Sequence, residues 1–198
     1  MGGRRPRIGV FGGTFDPVHV AHVQVAENVM RALSLDRMLF VVANDPWQKS
    51  ERDVSPAEDR YAMVEAATAR RPGLEPSRLE IERGGQSYTI DTVREILGCR
   101  PDAEVFLVVG ADVVDGLPTW KEEARLRELV TLAVVARPGA GTADVPAGWR
   151  TVPVPPSPLG VSSTELRRRL RAGEPVEGLV PDDVIRCIRQ RRLYATAR

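Results

Sequence analysis

An apolar run over residues 7–11 is closed by Gly12-Gly13-Thr14 and followed by residues 20–33, where Val25, Val29, Ala32 and Leu33 recur at helical spacing. A strand that passes through a glycine turn into a helix is half of a βαβ unit, and it aims backbone N–H groups and a helix N-terminus at one small volume. Both histidines of the chain, His19 and His22, stand in that connection, within Gly12-Gly13-Thr14-Phe15-Asp16-Pro17-Val18-His19-Val20-Ala21-His22. Two imidazoles at i and i+3 beside such amides suit a polyphosphate. Taken alone, the same residues also fit a tight turn followed by a helix that the histidines merely cap or pack.

The strand and helix pattern repeats along the chain. Residues 38–43 read as a second buried strand, and Ser55-Pro56-Ala57-Glu58 predicts a capping-box helix start with proline at the first helical position. That helix carries Tyr61, Met63 and Val64 and ends near Arg71-Pro72-Gly73. A short strand over 79–82 and a helix from Thr89 to about Leu97 follow. Residues 104–109 form the clearest strand, because Val105-Phe106-Leu107-Val108-Val109 is continuous, bulky and closed by Gly110. Thr119-Trp120-Lys121-Glu122 predicts a second capping box and a helix to Leu129, and 132–136 returns as a strand. Residues 138–158 shift to Pro, Gly, Ala and Thr, read as a mobile connection with one short strand over 151–154. Two last helices are expected, over 163–170 with a stop near Gly173, and over 182–192 opened by Pro181.

This alternation predicts one α/β domain over residues 1–198, with a core of about 7–194: a Rossmann-like, doubly wound parallel sheet with right-handed crossovers and C-terminal helices. With strands ordered 3-2-1-4-5, Gly12-Gly13-Thr14 and Gly110-Ala111-Asp112 flank the topological switch point where such sheets bind ligands. No internal repeat is present.

Charge narrows the partner. With 28 Lys+Arg against 27 Asp+Glu, the net +1 lacks the broad basic field of duplex nucleic-acid binders, so a small ligand is expected. Residues 161–198 carry nine Arg against five Asp+Glu, a local excess that suits an anionic ligand or a solvated helix surface. Cys99 and Cys187 are too few and too far apart for a disulfide framework, which points to a reducing, cytoplasmic setting. No secretory or membrane-spanning run of apolar residues appears, and no membrane partner is expected. Oligomeric state is left open, a homodimer being one of the arrangements allowed.

Neither G-x-x-x-x-G-K-[ST] nor G-x-G-x-x-G occurs, which argues against a P-loop kinase and a dinucleotide oxidoreductase. A nucleotidyl transfer fits better, since a phosphate monoester is already mostly ionised at neutral pH and the protein need only align it and stabilise charge. H-x-x-H without a third His or Cys is a weak metal site, so no metal held by protein ligands is expected, and Mg²⁺ would arrive with ATP. Val161-Ser162-Ser163-Thr164-Glu165-Leu166-Arg167 places hydroxyls at a helix start with a cation one turn inside. That pattern fits a second anion site, or an ordinary Ser/Thr cap.

The first motif resembles the GTFDPxHxGH signature of the nucleotidylyltransferase superfamily, and its doubled glycine is similar to that of the nicotinate-mononucleotide adenylyltransferases. Ala21 stands where that family usually has glycine, a methyl that a helix tolerates. Residues 161–167 are similar to the family's ISSTxIR. Arg83-Gly84-Gly85-Gln86-Ser87-Tyr88-Thr89-Ile90-Asp91-Thr92 and Trp120 resemble its RxGxSYTxDT and tryptophan elements. The resemblance implies adenylyl transfer from ATP to nicotinate mononucleotide, giving deamido-NAD and pyrophosphate on the route to NAD. It implies that His19, His22 and Arg167 act on the triphosphate, and that Gly12, Gly13, Thr14, Gly110, Asp112, Ser163 and Thr164 hold ATP. Lys49, Tyr88, Thr89, Trp120 and Arg137 would hold the acceptor. Trp120 would stack on the pyridine ring, although a partly buried core aromatic fits that position as well. Expected at a helix N-terminus like Thr89, it would help aim two sets of amides at a carboxylate and so favour nicotinate over nicotinamide. A sister enzyme with phosphopantetheine or nicotinamide mononucleotide as acceptor, and a nucleotide sensor without catalysis, are the competing readings.

Overall fold

The computed structural model describes residues 4–45, 54–136, 144–155 and 159–195. Six strands, β1 (Arg7–Gly13), β2 (Arg37–Val42), β3 (Leu74–Ser77), β4 (Glu104–Gly110), β5 (Val130–Val135) and β6 (Thr151–Val154), form one sheet in the order β3-β2-β1-β4-β5-β6, every pair parallel. From β1 the chain builds outward through β2 and β3, and from β4 it builds the other way, so the switch point lies between β1 and β4.

The two-residue period of a strand sorts the core. In β4, Val105, Leu107 and Val109 face one layer while Phe106 and Val108 face the other; in β2, Met38, Phe40 and Val42 oppose Val41. One layer is covered by α1 (Val20–Ala32), α2 (Ala57–Thr68), α6 (Ser163–Ala172) and α7 (Asp182–Arg191), through Val29, Met63, Val64, Leu166 and Ile188. The other is covered by α4 (Thr89–Cys99), a 3-10 helix over Ala111–Thr119 and α5 (Glu123–Leu129), through Ile90, Val93, Val114, Leu117 and Leu126. Strands buried on both faces are why these runs are continuous and bulky rather than alternating in polarity.

Three expectations are corrected. Residues 79–82 belong to a short helix, α3 (Leu79–Arg83), and the third strand lies just upstream at Leu74–Ser77. The apolar/polar alternation of Leu79-Glu80-Ile81-Glu82 imitates a strand, but Leu74–Ser77 already pairs with Met38–Val41, and Pro76 is tolerated there because β3 is an edge. Ser55 does not cap α2; Pro56 holds the cap position, and Ser55 turns its backbone to Arg60 and Asp16 instead. Thr119 does not open a helix. It closes the 3-10 helix, its hydroxyl donating to the Gly116 carbonyl at 2.8 Å, and α5 begins only after Glu122 in a left-handed conformation, φ 51°. Strand β6 extends the expected order by one. Residues 137–143 and 156–158 of the expected mobile connection lie outside the described residues.

Candidate active site

At the switch point β1 ends in Gly12 and Gly13, and the chain folds back so that a Cβ on Gly13 would stand 2.8 Å from the Phe15 ring. Glycine is required by that approach. Phe15, at φ 51°, Phe11 and Phe40 pack together, and their edges support the His22 ring, with centroids 5.2 Å from Phe15 and 5.9 Å from Phe11. His19 and His22 stack face to face, 3.6 Å apart at 22°. The His19 backbone N–H donates to His22 Nδ1 at 3.3 Å, which leaves Nε2 to carry the proton of a neutral His22. His19 is 5% exposed, its Nδ1 has no hydrogen-bond partner, and burial holds its pKa down at about 4. It is therefore neutral at pH 7, a buried polar edge waiting for a partner.

The second motif docks onto the first. Ser162 caps α6, accepting from the Glu165 amide at 3.3 Å. The Ser163 hydroxyl donates to the Pro17 carbonyl at 3.0 Å, and Arg167 Nη1 donates to the Asp16 carbonyl at 2.8 Å while its Nη2 reaches Thr164 Oγ1 at 3.4 Å. The result is a polar cavity of about 310 Å³ lined by Gly13, Thr14, Asp16, His19, His22, Ser163, Thr164 and Arg167. Chemically it offers two imidazoles, a guanidinium and hydroxyls around one volume, which is the equipment for an anion with several oxygens.

Gly13 and Thr14 also line a second, larger cavity of about 850 Å³, together with Gly12, Tyr88, Thr89, Gly110, Trp120 and Lys121. Its walls are largely apolar side chains. Thr89 and Ile90, which also line it, begin α4, so their amides have no carbonyl one turn earlier to bond. Trp120 follows the 3-10 helix instead of opening one, and its amide is spent on the Leu117 carbonyl at 3.0 Å. Only one of the two expected helix N-termini therefore faces this cavity. Glu80, 7% exposed, also lines it, held by the Thr92 hydroxyl at 2.6 Å. Two exposed ion pairs fix the Trp120 segment to α4: Lys121 to Asp91 at 2.8 Å, and Arg94 to Glu122 through two bonds of 2.8 and 2.6 Å.

Of the residues singled out from the sequence, Asp112 lies on the first turn of the 3-10 helix, exposed, with Oδ1 so close over Gly110 that any Cβ there would meet it at 2.6 Å. Lys49 and Arg137 lie outside the described residues. Arg168 is exposed on the surface of α6, where it pairs with Glu165 and Glu174, and the Arg168 and Arg169 guanidinium groups hold the Glu165 pKa down at about 2. Sequence reasoning missed Arg60, Glu80 and Tyr194. Arg60 carried a signal in being a charge among the helix's apolar positions; Tyr194 carried none. Among the described residues no three His, Cys, Asp or Glu gather to hold a metal ion.

An anion cavity and an aromatic-walled cavity thus meet at the switch-point glycines of a parallel α/β sheet. The cytidylyltransferase-like family matches residues 10–169. Probable nicotinate-nucleotide adenylyltransferases of Corynebacterium kroppenstedtii and Streptomyces coelicolor are each 43% identical, over 96% and 92% of this chain and 91% and 98% of their own. That of Frankia alni is 45% identical over 92% of this chain and 97% of its own. The chain belongs to the cytidylyltransferase-like family, in the group formed by these nicotinate-nucleotide adenylyltransferases. The fold is shared with Plasmodium falciparum nicotinic acid mononucleotide adenylyltransferase complexed with NaAD, at a TM-score of 0.77 and 16% identity over 96% of this chain and 98% of that one.

Proposed function

We propose that the chain transfers the adenylyl group of ATP to nicotinate mononucleotide, forming nicotinate adenine dinucleotide (deamido-NAD) and pyrophosphate in NAD biosynthesis. The observation that carries this reading is that the polar cavity of His19, His22 and Arg167 and the cavity of Trp120 and Thr89 meet at Gly13 and Thr14. An acceptor seated on Trp120 and a triphosphate seated on the imidazoles would bring their phosphates together at that seam. The relatives over 40% identical along nearly the whole chain support the same substrates.

In the reaction, an ionised phosphate oxygen of the mononucleotide attacks the α-phosphorus of ATP. The bond from that phosphorus to the bridging oxygen of the β-phosphate breaks, and pyrophosphate leaves with the electron pair. No general base is required at the acceptor, whose second pKa is about 6. With Nδ1 accepting from the His19 amide, His22 donates from Nε2 to the charge growing on the phosphoryl oxygens, and Arg167 and the α6 hydroxyls steady the leaving pyrophosphate. His19 gains its missing partner in the triphosphate. Gly12, with open space where a Cβ would stand, leaves room for the nucleotide at the end of β1, Gly13 and Gly110 line the same cavity, and Asp112 would accept from ribose hydroxyls. By the resemblance, Lys49 would reach the phosphates of the acceptor or of ATP, and Arg137 the acceptor's phosphate. Mg²⁺ would arrive with the ATP substrate; Asp16, the carboxylate in the cavity wall, already accepts from Tyr194 and Ser55.

Cys99 and Cys187 are free thiols, which supports a reducing cytoplasmic setting, and no described helix is long and apolar enough to cross a membrane. Incubation with ATP, Mg²⁺ and nicotinate mononucleotide, followed by mass analysis, should give deamido-NAD and pyrophosphate in equal amounts. Hydrolysis of ATP without a dinucleotide product would overturn the proposal.

A further inference from the structure

The carboxylate of Asp16 lies in an unusual place. It belongs to the wall of the polar cavity, is 2% exposed, and would stand beside any polyphosphate bound there. A negative charge at that wall opposes the ligand unless its lone pairs are tied elsewhere. They are. Asp16 Oδ1 accepts from the Tyr194 hydroxyl at 2.5 Å, and Oδ2 accepts from the Ser55 amide at 3.2 Å. The buried Arg60 guanidinium, whose own burial penalty the Asp16 charge partly offsets, stands close by and fastens the Thr14, Ala43, Asn44 and Ser55 carbonyls around the same loop.

Tyr194 comes from beyond α7, in a left-handed conformation at φ 62°, and its hydroxyl also lies 3.7 Å from Met63 Sδ. That hydroxyl is committed to a residue 178 positions earlier in the chain. We propose that Tyr194 is a positioning residue of the polar cavity, its hydroxyl holding the Asp16 carboxylate away from the triphosphate so that the Arg167 charge and the imidazole edges of His19 and His22 meet the ligand unopposed. The inference rests on the ATP reading of that cavity. Removing the hydroxyl frees one carboxylate oxygen to face the ligand, and a hydrogen bond to a charged group is worth roughly ten- to a hundredfold in an equilibrium constant.

The test measures ATP binding by calorimetry, with Mg²⁺, on the parent and on Tyr194→Phe, Asp16→Asn and the double variant. Tyr194→Phe keeps the ring and its packing, so it should fold, melt within a few degrees of the parent, bind ATP about tenfold more weakly and leave the KM for nicotinate mononucleotide nearly unchanged. Asp16→Asn should bind ATP within about threefold of the parent. Because the freed charge is the cause, the double variant should recover to within about threefold of Asp16→Asn alone. The inference is overturned by parent-like ATP binding in Tyr194→Phe, by a double variant no tighter than Tyr194→Phe, or by a Tyr194→Phe protein that is unfolded or weakens both substrates equally. A parent that binds ATP yet makes no dinucleotide would count against the proposed function and leave this inference standing.

Discussion

The two cavities that meet at Gly13 are built by opposite means. The polar one is made of backbone turns and buried side chains: Arg60 holds four carbonyls, Asp16 is held from both sides, and the second motif is pinned by Ser163 and Arg167. The aromatic one is walled by side chains on α4 and the Trp120 segment, joined by ion pairs whose partners are 27–45% exposed. Exposed pairs contribute little and yield to salt, whereas an orphaned buried carbonyl or charge is expensive. The contrast assigns fixed chemistry to one cavity and adjustable selection to the other.

The largest expected effect sharpens that contrast on the rigid side. Arg60→Leu leaves four carbonyls without their donor and should cost about 4 kcal/mol, lowering the melting temperature by roughly 10 °C. Thermal unfolding followed by circular dichroism checks it, and a change within 2 °C would break the account of how the polar cavity is held. Next, His22→Ala should lower kcat by about 10²–10³-fold with a smaller change in ATP affinity, the scale of losing one preorganised donor. Arg168→Ala is its control, since that side chain serves Glu165 and Glu174 and should leave turnover within about twofold.

A slightly smaller effect is pH-dependent. His19 has a folded pKa of about 4 against about 6.5 unfolded, so the unfolded chain binds the proton first as the solution is acidified. Its contribution is full above pH 6.5 and is lost as pH falls towards 4, amounting to about 3 kcal/mol. Denaturant unfolding of the parent and of His19→Gln at pH 7 and pH 4 should show the parent losing about that much more. Equal losses would mean that His19 is not held neutral by burial. The smallest effects belong to the adjustable cavity. With one helix N-terminus in place of two, and Glu80 in the wall, discrimination against nicotinamide mononucleotide should reach about 10²-fold in kcat/KM, short of the 10⁴-fold of a fully polar-matched site. Raising salt from 0.05 to 0.5 M should raise the acceptor KM, because exposed pairs join the Trp120 segment to α4.

How much of this was legible in the sequence follows the same division. The doubly wound sheet, the switch-point glycines and the meeting of the His and Ser/Arg motifs were legible because each depends on local patterns, such as bulky runs closed by glycine and a hydroxyl at a helix start. Residues 79–82 misled because an alternation that suits a strand also suits a short helix with one buried glutamate, and only the pairing of Leu74–Ser77 with β2 decides between them. Trp120 misled because Thr-x-x-Glu is a capping box only where the backbone allows it, and Pro118 and Gly116 favour a 3-10 turn instead. The hub of Asp16, Arg60 and Tyr194 was invisible for another reason. Its members are 16, 60 and 194 positions along the chain, and no local spacing encodes a contact that only the packing of α2 against α7 creates.

The division of labour between the cavities is tested most directly by measuring ATP and nicotinate mononucleotide binding, each by calorimetry, to the parent and to Trp120→Ala. Loss of the aromatic wall should weaken the mononucleotide about tenfold or more and leave ATP within twofold, because stacking is lost while the loops of the polar cavity are untouched. Equal weakening of both ligands, or weakening of ATP alone, would contradict it.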